Sequence, residues 1–270
     1  MNLKDIIITG GTGFIGRNIK NRLEKRYNIK DISKSNGGDI RNSETFLNIN
    51  SDLVIHLAAI NRSDNLKEMF ETNVNGTLNV LEFCRKNKTK LIFASSAAIY
   101  GNCSPPAKEE YKTNPVSFYG LTKLFGEELC EFYNKIFGLD ITILRIFNIY
   151  GPNQKEGLLI PDILSKIKNG KTISIKNPFS VRDFIYVDDV IDAISKSINL
   201  NGFHIINIGT GKGTEIRYLA ELMTNNNVIF EDQNGANSQS YADISKAKRL
   251  LGWEPKTDLE EGLKKIMKKE

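Results

Sequence analysis

Residues 5–16 read Asp5-Ile6-Ile7-Ile8-Thr9-Gly10-Gly11-Thr12-Gly13-Phe14-Ile15-Gly16. β-Branched residues dominate the first five positions, as in a strand that is buried on both faces. Glycines follow at positions 10, 13 and 16, and a helical apolar pattern continues from Ile15 through Ile19 to Leu23. Glycine lets the backbone approach a pyrophosphate closely, and the N-terminus of the next helix attracts the anion. This order predicts a dinucleotide-binding unit with Gly10, Gly13 and Gly16 at the phosphates.

Three further apolar runs, at residues 53–57, 90–94 and 141–145, have the same strand-like character and alternate with helical patterns. This alternation predicts an α/β fold in which a doubly wound parallel Rossmann sheet occupies residues 1–150. The turn signal Gly151-Pro152-Asn153 is followed by shorter elements. We therefore expect residues 151–270 to form a smaller, mainly substrate-binding lobe, with an approximate boundary and some interleaving of elements.

The composition, with 40% hydrophobic and 26% charged residues, is that of a globular protein and excludes disorder of the whole chain. The net charge of +5 comes from basic residues spread along the sequence, so we expect an anionic small ligand and no nucleic-acid partner. Cys84, Cys103 and Cys130 form no CxxC motif, which indicates neither a metal site nor a disulfide framework. Without a signal peptide or an apolar run of about 18 residues, we expect a cytoplasmic protein and no membrane partner.

The choice of cofactor depends on the end of the second predicted strand, residues 27–32. An acid about twenty residues after the glycine turn would bind the ribose of NAD. Ser33 and Lys34 follow this strand, whereas Asp31 lies within it. A hydroxyl and an ammonium group would suit a 2′-phosphate, which favours NADP over NAD. The alternative is that Lys34 is a solvated loop lysine.

A candidate acid–base pair lies in the stretch Tyr119-Gly120-Leu121-Thr122-Lys123. Residues four apart project from one face of a helix, and an ammonium group beside a phenol lowers its pKa. Such a phenol exchanges a proton with a sugar oxygen while a nicotinamide exchanges hydride. Ser96, just after the predicted strand 90–94, is placed to donate to the same oxygen.

These motifs and several others resemble, in order, the extended short-chain dehydrogenases/reductases of the NAD-dependent epimerase/dehydratase family, which act on nucleotide sugars. The resemblance covers nearly the whole chain. It includes the motifs at residues 54–59, 73–77, 95–101, 119–123, 144–152, 182–190, 207–211 and 243–248.

The resemblance implies roles for individual residues. Catalysis would belong to Ser96, Tyr119 and Lys123. The pyrophosphate would meet Gly10, Gly13, Phe14, Ile15 and Gly16. The adenine would be bordered by Asp39 and Ile40, and the rest of the cofactor would lie along Leu57, Ala58, Ala59, Asn73, Tyr119, Lys123 and Phe147. The substrate would contact Ser96, Tyr119, Asn148 and Arg182, with Arg182 at its phosphates.

The first functional hypothesis is hydride transfer at C4 of a nucleotide-activated hexose by a 4-ketoreductase. The alternative is a 4-epimerase that retains NAD, and a hypothesis of another class is a cofactor-binding regulator without catalysis. The Ala97-Ala98 pair stands where 4,6-dehydratases of the family carry Asp-Glu, which argues against a dehydratase.

A homodimer is expected from apolar positions near Leu78, Phe83, Leu124, Phe125 and Phe132, since relatives pair through these two helices. The alternative is that these side chains all belong to the core. His56 is interpreted as a core or strand-end histidine and not as a catalyst.

Overall fold

The computed structural model of the chain describes residues 5–224, 228–231 and 237–268. The strands in these ranges are β1 (Asp5–Thr9), β2 (Asn28–Ile32), β3 (Leu53–His56), β4 (Lys90–Ser96), β5 (Ile141–Ile146), β6 (Asn148–Tyr150), β7 (Ser174–Lys176), β8 (Val181–Arg182), β9 (Phe184–Tyr186), β10 (Phe203–Ile208), β11 (Thr214–Glu215), β12 (Ile229–Glu231) and β13 (Gln239–Ser240). The α-helices are α1 (Phe14–Leu23), α2 (Leu66–Phe70), α3 (Gly76–Asn87), α4 (Phe118–Phe137), α5 (Leu159–Lys168), α6 (Val187–Ser197), α7 (Ile216–Thr224), α8 (Ser245–Leu251) and α9 (Leu259–Met267).

Six strands form one parallel sheet in the order β10-β5-β4-β3-β1-β2. The predicted α/β class and the doubly wound Rossmann sheet are therefore confirmed. The order of the strands reverses between β1 and β3, and ligands of open α/β sheets bind at the carboxyl ends of strands at such a point. Strand β10 comes from beyond residue 151, so the C-terminal half also contributes to this sheet.

The apolar strands are continuous because helices cover both faces of the sheet. In β1, Ile6 and Ile8 point to the face packed by α1 and α6, whereas Ile7 points to the face packed by α3 and α4. All three isoleucines are at most 1% exposed. Burial on both faces explains why the run lacks the polar alternation of a half-exposed strand.

The remaining strands form small sheets beside the main one, β11-β8-β13, β6-β9 and β7-β12. Asp183, between β8 and β9, connects these small sheets to neighbouring loops through hydrogen bonds. Its buried carboxylate accepts hydrogen bonds from Thr210 N at 2.7 Å, Thr210 Oγ1 at 2.6 Å, Gly211 N at 3.0 Å and Ala242 N at 3.2 Å. The loop after β10 and the segment after β13 are thereby tied to the strand that carries Arg182.

The described ranges contain no helix that is long and apolar enough to span a membrane. Within the same ranges, His, Cys, Asp and Glu side chains form no group of three or more that could hold a metal ion. Cys84, Cys103 and Cys130 are free thiols.

Candidate active site

The carboxyl end of β1 forms a cradle around Gly10. Gly10 has φ +72°, and a Cβ there would lie 2.8 Å from Ala58 N and Cα. Helix α1 begins at the half-buried Phe14 and Ile15, with Gly13 as its N-cap, no capping side chain and no acid in its first turn. No side chain competes for its first N–H groups, which suit an anion. The cradle therefore fits a dinucleotide pyrophosphate.

Asp31, which lies inside β2 as the sequence predicts, has its carboxylate at this cradle. A Cβ on Gly11 would lie 2.5 Å from the Asp31 carboxylate, so only glycine fits above it. Ser33 Oγ donates to Asp31 Oδ1 at 2.5 Å, and Lys34 Nζ lies 3.1 Å from Glu68 Oε1. The groups that favoured NADP are thus held by acids, and Asp31 occupies the position expected of a ribose-binding acid.

Asp39 and Ile40, implied at the adenine, lie in the loop after β2. Arg41 Nε donates to Asp39 Oδ2 at 2.9 Å, and this pairing holds the pKa of Asp39 below its ordinary value. Ile40 is buried, and its carbonyl accepts a hydrogen bond from Asn79 Nδ2 on α3 at 2.9 Å. The loop is packed on α3, and its contact with an adenine stays a prediction.

The segment at residues 57–60, after β3, is held by the side chain of Asn73. Asn73 Oδ1 accepts from Ile60 N at 2.8 Å, and Nδ2 donates to Ile60 O at 2.8 Å and to Thr122 Oγ1 at 3.0 Å. Thr122 Oγ1 in turn donates to Tyr119 O at 2.8 Å. Asn73, in a π-helical turn at Glu71–Asn75, therefore links the predicted cofactor path to the first turn of α4.

His56 is a neutral core histidine in this arrangement. Its Nδ1 lies 2.6 Å from Thr9 Oγ1 and its Nε2 lies 3.0 Å from Thr77 Oγ1. Because the Thr77 hydroxyl donates to Asn73 O at 2.6 Å, it accepts from His56 Nε2–H. Burial lowers the pKa of His56 to about 3. The imidazole is therefore uncharged at neutral pH.

The structure brings Ser96, Tyr119 and Lys123 together at the carboxyl end of β4. Helix α4 begins at Phe118, and the Ser117 side chain caps it by accepting from Gly120 N at 3.1 Å. Lys123 Nζ donates to Ala94 O at 2.7 Å and lies 5.9 Å from the centre of the Tyr119 ring. The Tyr119 phenol lies near the Ser96 hydroxyl group, which acts to lower the pKa of the phenol. These side chains can serve one substrate oxygen.

The expected lowering of the Tyr119 pKa is wrong for the protein alone. Burial raises this pKa to about 12 and outweighs the opposing hydrogen bond from Ser96. Burial also lowers the pKa of Lys123 to about 8, so its ammonium group persists at neutral pH. The phenol is thus protonated, and further positive charge beside it would be needed to make it a base at neutral pH.

Phe147, implied at the cofactor, lies between β5 and β6, and the substrate residues Asn148 and Arg182 lie on β6 and β8. Phe147 is buried with its ring centre 6.3 Å from that of Tyr100, whereas Asn148 is exposed and donates through its N to Asp183 O at 2.9 Å. Arg182 Nη1 donates to Val181 O and Ser238 O, and Nη2 donates to Ser238 Oγ, each at 2.8 Å. Among the described residues, no carboxylate forms an ion pair with this half-buried guanidinium group.

Sequence reasoning missed two charged residues near the site, Glu127 and Arg145, and it set aside a third, Asp31, because that residue lies within the second strand. A signal existed for each of them. Asp31 lies about twenty residues after Gly10, as a ribose-binding acid would. Glu127 continues the four-residue spacing of Tyr119 and Lys123. Arg145 is a lone charge in an apolar strand, which calls for a buried partner.

Comparisons with known proteins agree on one family. A model of the NAD dependent epimerase/dehydratase family matches residues 6–209. The chain is 35% identical to a putative UDP-glucose 4-epimerase of Methanocaldococcus jannaschii over 97% of both chains. It is also 35% identical to a UDP-glucuronate 4-epimerase of Thermodesulfobacterium geofontis, over 92% of this chain and 81% of that protein. The crystal structure of a Thermotoga maritima UDP-glucose 4-epimerase with UDP-glucose superposes with TM-score 0.90 at 31% identity, covering 98% and 97% of the two chains.

The neutral His56 predicts acid sensitivity. Unfolded chains bind a proton at histidine below about pH 6.5, whereas folded His56 resists protonation down to about pH 3. The free energy of unfolding should therefore fall on acidification through this window, by up to about 1.4 kcal/mol per pH unit. His56→Gln should remove that slope in urea titrations at several pH values. The control His204→Gln should keep it, and equal slopes for the His56 variant and the wild type would contradict the assignment.

Proposed function

Since the chain belongs to the NAD-dependent epimerase/dehydratase family, we propose that it is a nucleotide-sugar 4-epimerase that keeps NAD bound during turnover. Like its relatives, it is an NAD(P)-dependent enzyme that acts on a nucleotide sugar. The sequence pattern favours a 4-ketoreductase first, but relatives named 4-epimerases favour the alternative. They give no support to a regulator without catalysis. Because those relatives act on UDP-sugars, we take a UDP-hexose or UDP-hexuronate as the substrate.

The observation that carries the proposal is the placement of Ser96, Tyr119 and Lys123 at the end of β4, on the same edge of the sheet as the glycine cradle. Bound NAD would accept hydride from C4 of the sugar and later return it. Tyr119 would take the proton of the 4-hydroxyl group and give it back after the sugar presents its other face. Ser96 would hydrogen-bond the same oxygen, and the Lys123 ammonium would stabilise the Tyr119 phenolate.

Arg182 supports an anionic substrate. Within the described ranges, this half-buried guanidinium group bonds to neutral acceptors, so its positive charge is available to a phosphate. Burial already lowers the pKa of Arg182, a sign that its charge is poorly solvated. A diphosphate at Arg182 would place the sugar toward Asn148 and Tyr119, and both contacts are part of the proposal.

This function predicts interconversion without net redox change. The purified enzyme incubated with UDP-glucose or UDP-glucuronate should form the C4 epimer, detected by NMR, with no stoichiometric change in nicotinamide absorbance. Tyr119→Phe should lower turnover by about 10²-fold or more while cofactor binding survives. Stoichiometric consumption of NADPH with a 4-keto sugar would instead identify the ketoreductase. Unchanged turnover in Tyr119→Phe would remove the mechanism.

For the cofactor we propose NAD instead of NADP. The Asp31 carboxylate lies beside Gly11 and is already bonded to Lys20 Nζ at 2.7 Å and to Ser33 Oγ at 2.5 Å. A carboxylate at this position accepts hydrogen bonds from ribose hydroxyls and repels a 2′-phosphate. Lys34, whose ammonium group would attract that phosphate, pairs with Glu68.

The choice of cofactor can be tested at Asp31. Asp31→Asn removes a charged acceptor of hydrogen bonds and should weaken NAD binding about tenfold or more in calorimetry. Binding of NADP should not suffer in the same way. The control Glu261→Gln alters a carboxylate that pairs with Lys265 on α9, outside the predicted cofactor path, and should leave NAD binding unchanged. Tighter binding of NADP than NAD by the wild type would refute this choice.

We also propose a homodimer through α3 and α4. Phe83 is buried and Leu124 half-buried, so these two belong largely to the core. The outer face still exposes 37% of Leu78, 54% of Phe132 and 61% of Ile136. A two-fold axis would bring this apolar face against its own copy.

The dimer can be tested by sedimentation. The wild type should sediment at twice its 30.4 kDa chain mass, and Phe132→Lys should dissociate it, because burial of a charge in an apolar interface is costly. Leu47→Lys, at a residue 66% exposed elsewhere, is the matched control. A monomeric wild type would rule out the assembly.

The cytoplasm is the proposed location. Cys84 and Cys130 are buried, Cys103 is half-buried, and all are free thiols. Free thiols are typical of a reducing compartment.

A further inference from the structure

Helix α4 carries a third side chain in register with the proposed acid–base pair. Tyr119, Lys123 and Glu127 follow one another at four-residue spacing and so lie on one face of the helix. All of them contact the last residues of β4. The contacts join Tyr119 to Ser96, Lys123 Nζ to Ala94 O and Glu127 Oε1 to the Ser95 hydroxyl. Glu127 is therefore fixed to the strand end that holds the other two.

Arg145 on β5 holds the Glu127 carboxylate. Its Nη2 lies 2.7 Å from Glu127 Oε2, and its Nε lies 3.1 Å from Oε1 and 3.2 Å from Oε2. Both side chains are 5% exposed. The guanidinium and carboxylate groups thus form a bidentate ion pair. This pair contacts Ser95, the neighbour of Ser96, and lies one helical turn from Lys123.

The other side of Arg145 is bonded to the segment after β4 and, through it, to β10. Nη1 donates to Tyr100 Oη at 2.9 Å and to Glu109 O at 2.8 Å. Tyr100 Oη donates to Asn207 Oδ1 at 2.7 Å, and Asn207 N donates to Glu109 Oε1 at 2.9 Å. Arg145 therefore joins α4 and β4 to a strand from the C-terminal half of the chain.

A gain in folding stability does not by itself explain this buried ion pair. Removing two charges from water costs several kcal/mol, and replacement of a buried ion pair by apolar side chains is often neutral or stabilising. Its location points to another role, since Glu127 lies one helical turn from Lys123 and bonds to Ser95, the neighbour of Ser96.

We propose that Glu127 and Arg145 are positioning residues for the acid–base step, which fix α4 on β4 and balance the charge beside Lys123 and Tyr119. This inference rests on the proposed function, because it assigns the proton transfer to Tyr119. Neither residue touches the reacting atoms, so both act through Lys123 and Ser96.

The charge balance near Lys123 depends on few groups. The titratable groups that face it, directly or through one neighbour, are Tyr119, Glu127 and Cys130 on α4, Cys84 on α3, His56 on β3, Arg145 on β5, and Tyr100 and Glu109 after β4. Burial raises the pKa values of Cys84, Cys130 and Tyr100 and lowers that of His56, so all four are neutral. Glu109 bonds to Asn207 instead of to Lys123. Among the described residues that face Lys123, the charged groups are therefore those of Glu127 and its partner Arg145.

The two partners should have opposite effects on Tyr119. Glu127→Gln leaves the Arg145 cation unbalanced, which favours the phenolate and should move the acidic limb of the kcat–pH profile down by about one unit. Arg145→Met leaves the carboxylate unbalanced and should move the limb up by about one unit. In the double variant the limb should return near its wild-type position.

The experiment uses the NAD-loaded enzyme. It follows the pH dependence of kcat and, separately, the ultraviolet difference absorbance of tyrosinate against Tyr119→Phe. Each single variant should also lower kcat about tenfold with little change in KM, because misplaced groups slow chemistry more than binding. Asp192→Asn, which removes an ion-pair carboxylate on α6, is the matched control and should change neither readout.

The outcomes separate this inference from the proposed function. A purely structural pair would lower the melting temperature of the variants without moving the pH limb, and that result would overturn the inference. If Arg145→Met does not fold, Glu127→Gln and the double variant still decide, since the limb must move in the first and return in the second. If Tyr119→Phe loses turnover but the acidic limb does not move in the Glu127 and Arg145 variants, only the positioning role is refuted. Full turnover in Tyr119→Phe would sink the proposed function itself.

Discussion

Close packing of α4 on the end of β4 is the constraint on which the rest of the site depends. A Cβ on Gly126 would lie 2.6 Å from Phe93 Cζ, and a Cβ on Gly120 would lie 2.6 Å from Ala98 O. The missing side chains let the helix approach until Lys123 Nζ reaches Ala94 O. A larger residue at either glycine would push the helix outward and separate Tyr119 from Ser96. The chemistry therefore depends on two residues that take no part in it.

The same packing determines the electrostatics. Burial makes Tyr119 a weak acid and Lys123 a weak base, since both charged forms lose solvation. The protein alone thus keeps the phenol protonated. A positive charge on the bound coenzyme would favour the phenolate just when a proton must be taken from the sugar. The second half of the chain carries Arg182, which we propose binds the substrate phosphates, on a strand anchored by Asp183.

Local sequence patterns predicted much of the fold and the site. The strand, glycine turn and helix around Gly10 need only neighbouring residues, and the spacing of Tyr119 and Lys123 needs only a helix. Asp31 was set aside because it lies within β2, and only the folded chain brings its carboxylate against Gly11. The rise in the Tyr119 pKa could not be predicted, because burial comes from distant parts of the chain. Glu127 and Arg145 each left a local signal, but their pairing joins a helix to a strand, so neither signal identified the partner.

The most direct test of the central claim is a crystal structure of the enzyme with NAD and a UDP-sugar. We expect Tyr119 Oη to lie about 2.6–3.2 Å from the sugar 4-oxygen. We also expect the nicotinamide ring to face C4 of the sugar from the side opposite Tyr119. A phenol turned away from the sugar, or a nicotinamide directed elsewhere, would contradict the acid–base role of Tyr119.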